Sequence, residues 1–161
     1  MKEKIKRISS STWALILALM MVVSSFSVLA ATTNVNKTGA TKTKVYFVPA
    51  SQSDFSSYLN SSKTDIDSKY TVKLNLHYGS NDSDKWEYVD VTKSSDTFGG
   101  NSVYFSEFTD MYNGLAEMQI QIYDGETQIK LVKPITTWTK PSVYNGKVYD
   151  SGSWKTYTPD T

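Results

Sequence analysis

The strongest constraint on this chain is a period of two. In KYTVKLNLHY, Lys69 to Tyr78, the residues Val72, Leu74, Leu76 and Tyr78 fall on one side, and Thr71, Lys73, Asn75 and His77 fall on the other. In LAEMQIQIY, Ala116, Met118, Ile120 and Ile122 oppose Glu117, Gln119, Gln121 and Tyr123. Successive side chains of a β-strand point to opposite faces of a sheet, so this alternation describes strands with one buried and one outward face. KVYFV (Lys44 to Val48), KWEYVDVT, SVYFSEF and TQIKLVK add further β-branched and aromatic runs between clusters of Gly, Asn, Asp and Ser, the pattern of an all-β sandwich. Asp124-Gly125 between two such runs predicts a hairpin turn. Only SQSDFSSYLNSSKTDIDS departs from the pattern. It reads either as a helical turn capped by Ser53 ahead of Phe55, Tyr58 and Leu59, or as a long ordered loop.

The first thirty residues follow a different rule. MKEKIKR, then WALILALMMVV, then SVLA is the charged, apolar and small-residue order of a secretory signal peptide, with cleavage expected after Ala30, and Ala31 as the alternative. The apolar run from Trp13 to Val23 is shorter than the about 20 residues a membrane span requires, so a secreted protein with no membrane span is expected. ATTNVNKTGATKT, residues 31–43, has too little to bury and reads as a disordered leader, which places a single domain at 44–161. Without residues 1–30 the chain loses Lys2, Lys4, Lys6, Arg7 and Glu3, leaving thirteen Lys and no Arg against fifteen acids, a formal charge of −2. Interspersed charge of that kind does not track a phosphate backbone, so a nucleic-acid partner is not expected. With no cysteine anywhere, the fold has no disulfide scaffold, no thiol chemistry and no Cys-ligated zinc.

The aromatic residues carry the functional signal. In KWEYVDV the alternation assigns Val89 and Val91 to the core with Glu87 in phase, so Trp86, Tyr88 and Asp90 point away. Leaving an indole in water forgoes roughly 25 cal/mol for each Å² not buried, so an outward tryptophan covers something or binds something. A pyranose suits it: an aromatic plane stacks on the axial C–H face of the sugar, while polar groups bind the equatorial hydroxyls. His77, Asn81, Asp84 and Lys85 adjoin these rings and are candidates for the polar contacts. Asn145-Gly146, between SVY and KVY, predicts a two-residue turn that places Val143 and Val148 on the core and turns Tyr144 and Tyr149 outward. Packing beneath a loop, or a register shift at a bulge, is the competing account of Trp86 taken alone. The binding account draws on the number of such rings, with Trp138 and Trp154 also near strand ends.

The run VKLNLHYGSNDSDKWEYVDV resembles the glycogen- and starch-binding module of some glucoamylases and of glycogen-targeting phosphatase subunits. Tyr78, Asp84, Trp86, Asp90 and Val91 follow the order of that family's motif, and EMQIQIYDGETQI is similar to its later strand ending in Tyr and a glycine turn. The resemblance implies an immunoglobulin-like antiparallel sandwich that binds α-glucan without cleaving it, with Trp86 as the stacking residue and Tyr123 beside it. The chain departs from the family after that turn, where IKLVKP stands in place of an aromatic-Asp-Asn-Asn segment.

Catalysis finds little support. The only histidine beyond the leader is His77, so a hydroxyl nucleophile lacks an evident base, and no Gly-x-Ser-x-Gly elbow or phosphate-cradling loop is present. Asn81, Asp82 and Asp84 form an oxygen-rich stretch that lacks the Gly and Glu of a calcium-binding loop, so neither a metal nor a cofactor is expected. The expected protein is a non-catalytic, secreted binder of polysaccharide. The alternative from another class is an adhesin or matrix component whose Tyr-rich face meets a protein partner.

Overall fold

The computed structural model describes residues 42–78, 85–109 and 114–161. Their strands are β1 (Lys42–Phe47), β2 (Tyr70–Tyr78), β3 (Lys85–Val89), β4 (Thr92–Phe98), β5 (Asn101–Thr109), β6 (Glu117–Asp124), β7 (Thr127–Ile135), β8 (Lys147–Asp150) and β9 (Ser153–Thr156). They form an all-β sandwich of two sheets, one ordered β4-β5-β1-β8-β9 and the other β3-β2-β6-β7. Every pairing is antiparallel except β1 with β8, which run parallel through Tyr46↔Val148 and Phe47↔Tyr149.

The period-two residues meet between the sheets as expected. Leu74, Leu76 and Tyr78 of β2 and Met118, Ile120 and Ile122 of β6 pack against Val45 and Phe47 of β1, Phe108 of β5 and Tyr149 of β8. Each large apolar side chain sealed in this way contributes about 1.5–3 kcal/mol. The ambiguous segment resolves into short 3-10 turns at Pro49–Ser51 and Ser53–Tyr58, which drop Phe55 into the same core. Gln52, not Ser53, occupies the cap position, and no side chain there bonds to the turn. The β6–β7 hairpin forms with Gly125 at φ 57°, the left-handed position that a glycine fills without steric cost.

Three sequence expectations need correction. Thr43 is fully buried and β1 begins at Lys42, so the first strand takes in two residues of the stretch assigned to the leader. The signal-peptide assignment and the rest of the leader, residues 1–41, lie outside the described residues. KWEYVDVT is not one strand, because β3 ends at Val89 and the chain crosses at Asp90 and Val91 to start β4 in the other sheet. The Ser106 hydroxyl donates to the Asp90 carbonyl at 2.8 Å and fixes that crossing.

The Asn145-Gly146 hairpin does not form. Pro141 starts a 3-10 turn through Tyr144, and the Asn-Gly pair docks on β1 instead of folding back on itself. Asn145 Oδ1 accepts from the Lys44 N–H at 2.8 Å, and the Gly146 N–H donates to the Lys44 carbonyl at 2.8 Å. The hairpin lies one strand later, between β8 and β9, with Ser151 and Gly152 both at positive φ and Tyr149 opposite Trp154. Parity along β8 is therefore the reverse of the expectation: Tyr149 enters the core and Val148 faces the other way.

Val148 nevertheless stays dry. With Val48 and Val103 it forms a second fully buried cluster, covered by Tyr46, Phe98 and Tyr157. Tyr157 stacks on Tyr46 at 3.8 Å between ring centroids. Beyond it, the Asp160 carboxylate accepts from the N–H groups of Gly99 and Gly100 at 3.0 and 2.9 Å and from the Thr97 hydroxyl at 2.8 Å. The segment after β9 is thus a strap running from the β8 side of the five-stranded sheet to the β4–β5 turn.

Asp65 is the main polar joint of the loop that follows the 3-10 turns. It is buried, pairs with Lys93 of β4, and accepts from the Tyr104 hydroxyl of β5 and the Ile66 N–H at 2.8 Å each. Burial favours its neutral form, but these donors outweigh burial and hold its carboxyl below the usual range. A lowered native pKa stabilises the fold above the unfolded carboxylate's pKa of about 3.9, and the contribution disappears as pH falls through the native value. Asp65→Asn is therefore expected to cost about 2 kcal/mol in urea unfolding at pH 7 and progressively less below pH 4. A deficit that did not shrink in acid would mean that the carboxylate charge is not what stabilises this joint.

Candidate functional site

The four-stranded sheet turns its unpacked side outward, and β3 lies at its edge. Trp86 is opposite His77 and Tyr88 is opposite Asn75 in the ladder. Because Leu74, Leu76 and Tyr78 of β2 face the core, these partners face out, and the β3 rings face out with them. Trp86 is 48% exposed and Tyr88 58% exposed, as the alternation in KWEYVDV predicts. The indole lies flat on the His77 ring, with centroids 4.4 Å apart and 4° between planes. One face of Trp86 is thereby supported, and the residue remains half-exposed.

Tyr88 leans over β2 toward β6, where its hydroxyl meets that of Tyr123 at 2.9 Å. Lys73 is close to both rings, its Nζ 4.1 Å from the Tyr123 centroid and 5.8 Å from that of Tyr88, so the ammonium is held by the aromatic quadrupoles. The Tyr88 hydrogen bond and burial together raise the Tyr123 phenol to about 12. Tyr123 is therefore protonated at neutral pH.

A row of polar side chains runs along β6 beneath these rings. Gln121 is 1% exposed, and Asn75, opposite Gln119 on β2, is 7% exposed. The Tyr123 hydroxyl donates to Gln121 Oε1 at 3.1 Å, Gln121 Nε2 donates to Gln119 Oε1 at 2.6 Å, and Gln119 Nε2 donates to the Glu117 carboxylate. Lys133 of β7 closes the row with an ion pair to Glu117 at 2.9 Å. Burial opposes ionisation of Glu117, but Gln119, Lys133 and His77 prevail and hold its carboxyl below the usual range.

Two shallow hollows flank β3. One, of about 400 Å³, is lined by Val72, Lys73, Tyr88, Val89, Asp90 and Val91. The other, of about 310 Å³, includes Tyr88 with Lys42, Asp90 and Glu107. Tyr88 borders both, and each is at the small end of ligand-site volumes. A larger cleft of about 520 Å³ lies away from β3, between Ser51–Asp54, β7 and the β8–β9 turn.

Of the residues expected to form a site, Trp86, Tyr88 and Tyr123 share this face. Lys85 opens β3 half-buried opposite Tyr78. Asn81 and Asp84 lie outside the described residues. Tyr144 and Tyr149 are corrections. Tyr149 is in the core, and both pack against Trp154, at 4.5 Å for Tyr144 and 5.4 Å for Tyr149. Trp154 donates from Nε1 to the Pro134 carbonyl at 3.1 Å, so this trio secures β8 and β9 to β7. Lys73, Asn75, Gln119 and Gln121 were legible as outward polar residues but not as the floor of a site. Trp138, 60% exposed, rests against Gly114, where a Cβ would overlap the indole. The Leu115↔Thr139 bridge beside it sets that tryptophan at the Glu117 end of the sheet.

Chemically, the face offers flat apolar surface, amide and phenol hydrogen bonding and a single ring-held ammonium. Among the described residues, no cluster of His, Asp or Glu is arranged to hold a metal ion, and no helix is long and apolar enough to cross a membrane. The fold and this face define an all-β sandwich with an aromatic and amide outer surface on one sheet. Comparison with protein families, with characterised proteins and with solved structures gives no match. The likeness to the glycogen- and starch-binding module therefore rests on the residues quoted for it.

Proposed function

We propose that the outer face of the four-stranded sheet binds polysaccharide of the α-glucan class, as the task of a secreted, non-catalytic protein. The observation that carries this reading is the half-exposed ring of Trp86, stacked on His77 at the sheet edge with Tyr88 on the same side. A ring supported from behind loses little freedom when a sugar stacks on its front, which lowers the entropic cost of binding. The adjoining amides and phenols supply the hydroxyl contacts that orient a pyranose, and the shallow hollows suit a chain lying across the surface better than a small molecule enclosed in a pocket.

Affinity electrophoresis tests this directly. Migration of the protein in native gels containing starch, glycogen, cellulose or xylan is compared with that of a non-binding reference protein. Retardation in starch and glycogen is expected. Unchanged mobility in all four gels would overturn the glycan reading and leave a protein partner as the account of the exposed rings.

A further inference from the structure

The hydrogen bonds along β6 have a direction, and that direction reaches the surface at Tyr88. Glu117 is paired with the Lys133 ammonium at 2.9 Å and held ionised, so its oxygens only accept. Gln119 must therefore turn its amide nitrogen to Glu117 and its carbonyl oxygen to Gln121, and Gln121 must turn its nitrogen to Gln119 and its oxygen to Tyr123. That oxygen takes the only hydroxyl proton of Tyr123, at 3.1 Å. The remaining contact, 2.9 Å between the two phenols, is then made with the proton of Tyr88. Reversing any link would leave a buried oxygen facing an oxygen or without a donor, at a cost of about 1–3 kcal/mol. Each bond in such a chain also polarises the next in the same direction.

We infer that Tyr88 presents its hydroxyl oxygen to a ligand only as an acceptor, so that the face selects saccharides offering a free hydroxyl proton there, and that Glu117 sets this preference from the far end of β6. The span from Glu117 to Tyr123 is six residues, about 20 Å of strand. Asn75, opposite Tyr88 in the ladder, points to the same class of group: its buried Oδ1 meets no donor among the described residues. Lys73, whose ammonium lies against the tyrosine rings, makes no hydrogen bond to it. The inference rests on the glycan reading for its ligand class, whereas the donor directions follow from the side-chain chemistry alone.

The test compares retardation in gels of native starch and of starch whose hydroxyls are capped as methyl ethers, which accept but do not donate. The wild type is expected to prefer native starch by at least about tenfold. Tyr88→Phe keeps the ring and is expected to lose most of that preference. Glu117→Gln, whose amide can donate or accept, releases the direction of the chain and is expected to reduce the preference severalfold with unfolding temperature nearly unchanged. Lys133→Met removes the ion pair but keeps the carboxylate, and is expected to retain the full preference. A merely structural role for Glu117 would weaken binding to both starches equally, and that result, or an unaltered preference in Tyr88→Phe, overturns the inference. Neutron diffraction from deuterated, ligand-free crystals supplies the separate arm: a Tyr123 deuteron pointing to Tyr88 instead of Gln121 refutes the assigned direction whatever the gels show. No retardation of the wild type in either starch removes the ligand class together with the glycan reading, while the neutron map still decides the polarity.

Discussion

Truncation after Thr156 is expected to lower the unfolding free energy by about 3 kcal/mol, a large share of the 5–15 kcal/mol that holds an ordinary domain together. Residues 157–161 look dispensable in sequence, having one aromatic and no regular structure, yet they cover Val48, Val103 and Val148, each fully buried. Tyr157 supplies most of the effect. Burying roughly 80 Å² of its ring and of the valines beneath is worth about 2 kcal/mol, and its stack on Tyr46 adds about 1 kcal/mol. The bonds from Thr97, Gly99 and Gly100 to Asp160 are solvent-exposed and mainly fix the direction of the strap. Tyr157→Ala is accordingly expected to reproduce most of the loss, and Asp160→Asn little of it, in urea unfolding followed by tryptophan fluorescence. Equal losses from both substitutions would mean that the polar clamp, and not the apolar cover, secures the strap.

Trp86→Ala is expected to weaken glycan binding by about thirtyfold. A pyranose stacked on the exposed indole surface buries roughly 70–80 Å² of apolar area, worth about 2 kcal/mol, and each 1.4 kcal/mol is a factor of ten in affinity. Unfolding temperature should hardly change, because the ring is half-exposed and its described aromatic contact is the stack on His77. Trp154→Ala provides the contrast. That ring joins Tyr144, Tyr149 and the Pro134 carbonyl, so its removal should destabilise the fold by several kcal/mol and leave the affinity of the folded fraction intact. A Trp86→Ala protein that bound as tightly as wild type would show the indole to be a bystander.

The period-two strands were readable because their two faces differ in chemistry. Leu74 and Leu76 against Lys73 and Asn75, and Ile120 and Ile122 against Gln121 and Tyr123, fix parity without further information. Parity in KWEYVDV then placed Trp86 and Tyr88 outward from the positions of Val89 and Val91. Strand β4, TKSSDTF, was not readable, because its polar residues face solvent along most of its length and its pairing with β5 is imposed from outside. The Asn145-Gly146 pair failed for a related reason: a turn signal records what two residues can do locally, and here the Lys44 backbone offered both of them partners. Burial of Gln119 and Gln121 was hidden for a third reason. Alternation reports the direction in which a side chain leaves the strand, whereas exposure depends on whether long neighbours such as Tyr88, Tyr123 and Lys133 lean across it.

The central claim is that a saccharide lies on the outer side of β3, β2 and β6. Its most direct test is an NMR titration of isotope-labelled protein with maltoheptaose, a soluble α-glucan, following backbone amides, side-chain amides and the indole Nε1–H signals. The account predicts that the largest shifts fall on Trp86, Tyr88, Asn75, Gln121 and Lys73, with Trp154 and the strap at Tyr157 unmoved. Shifts gathered instead at the cleft between Ser51–Asp54 and the β8–β9 turn, or spectra unchanged at millimolar oligosaccharide, would contradict it.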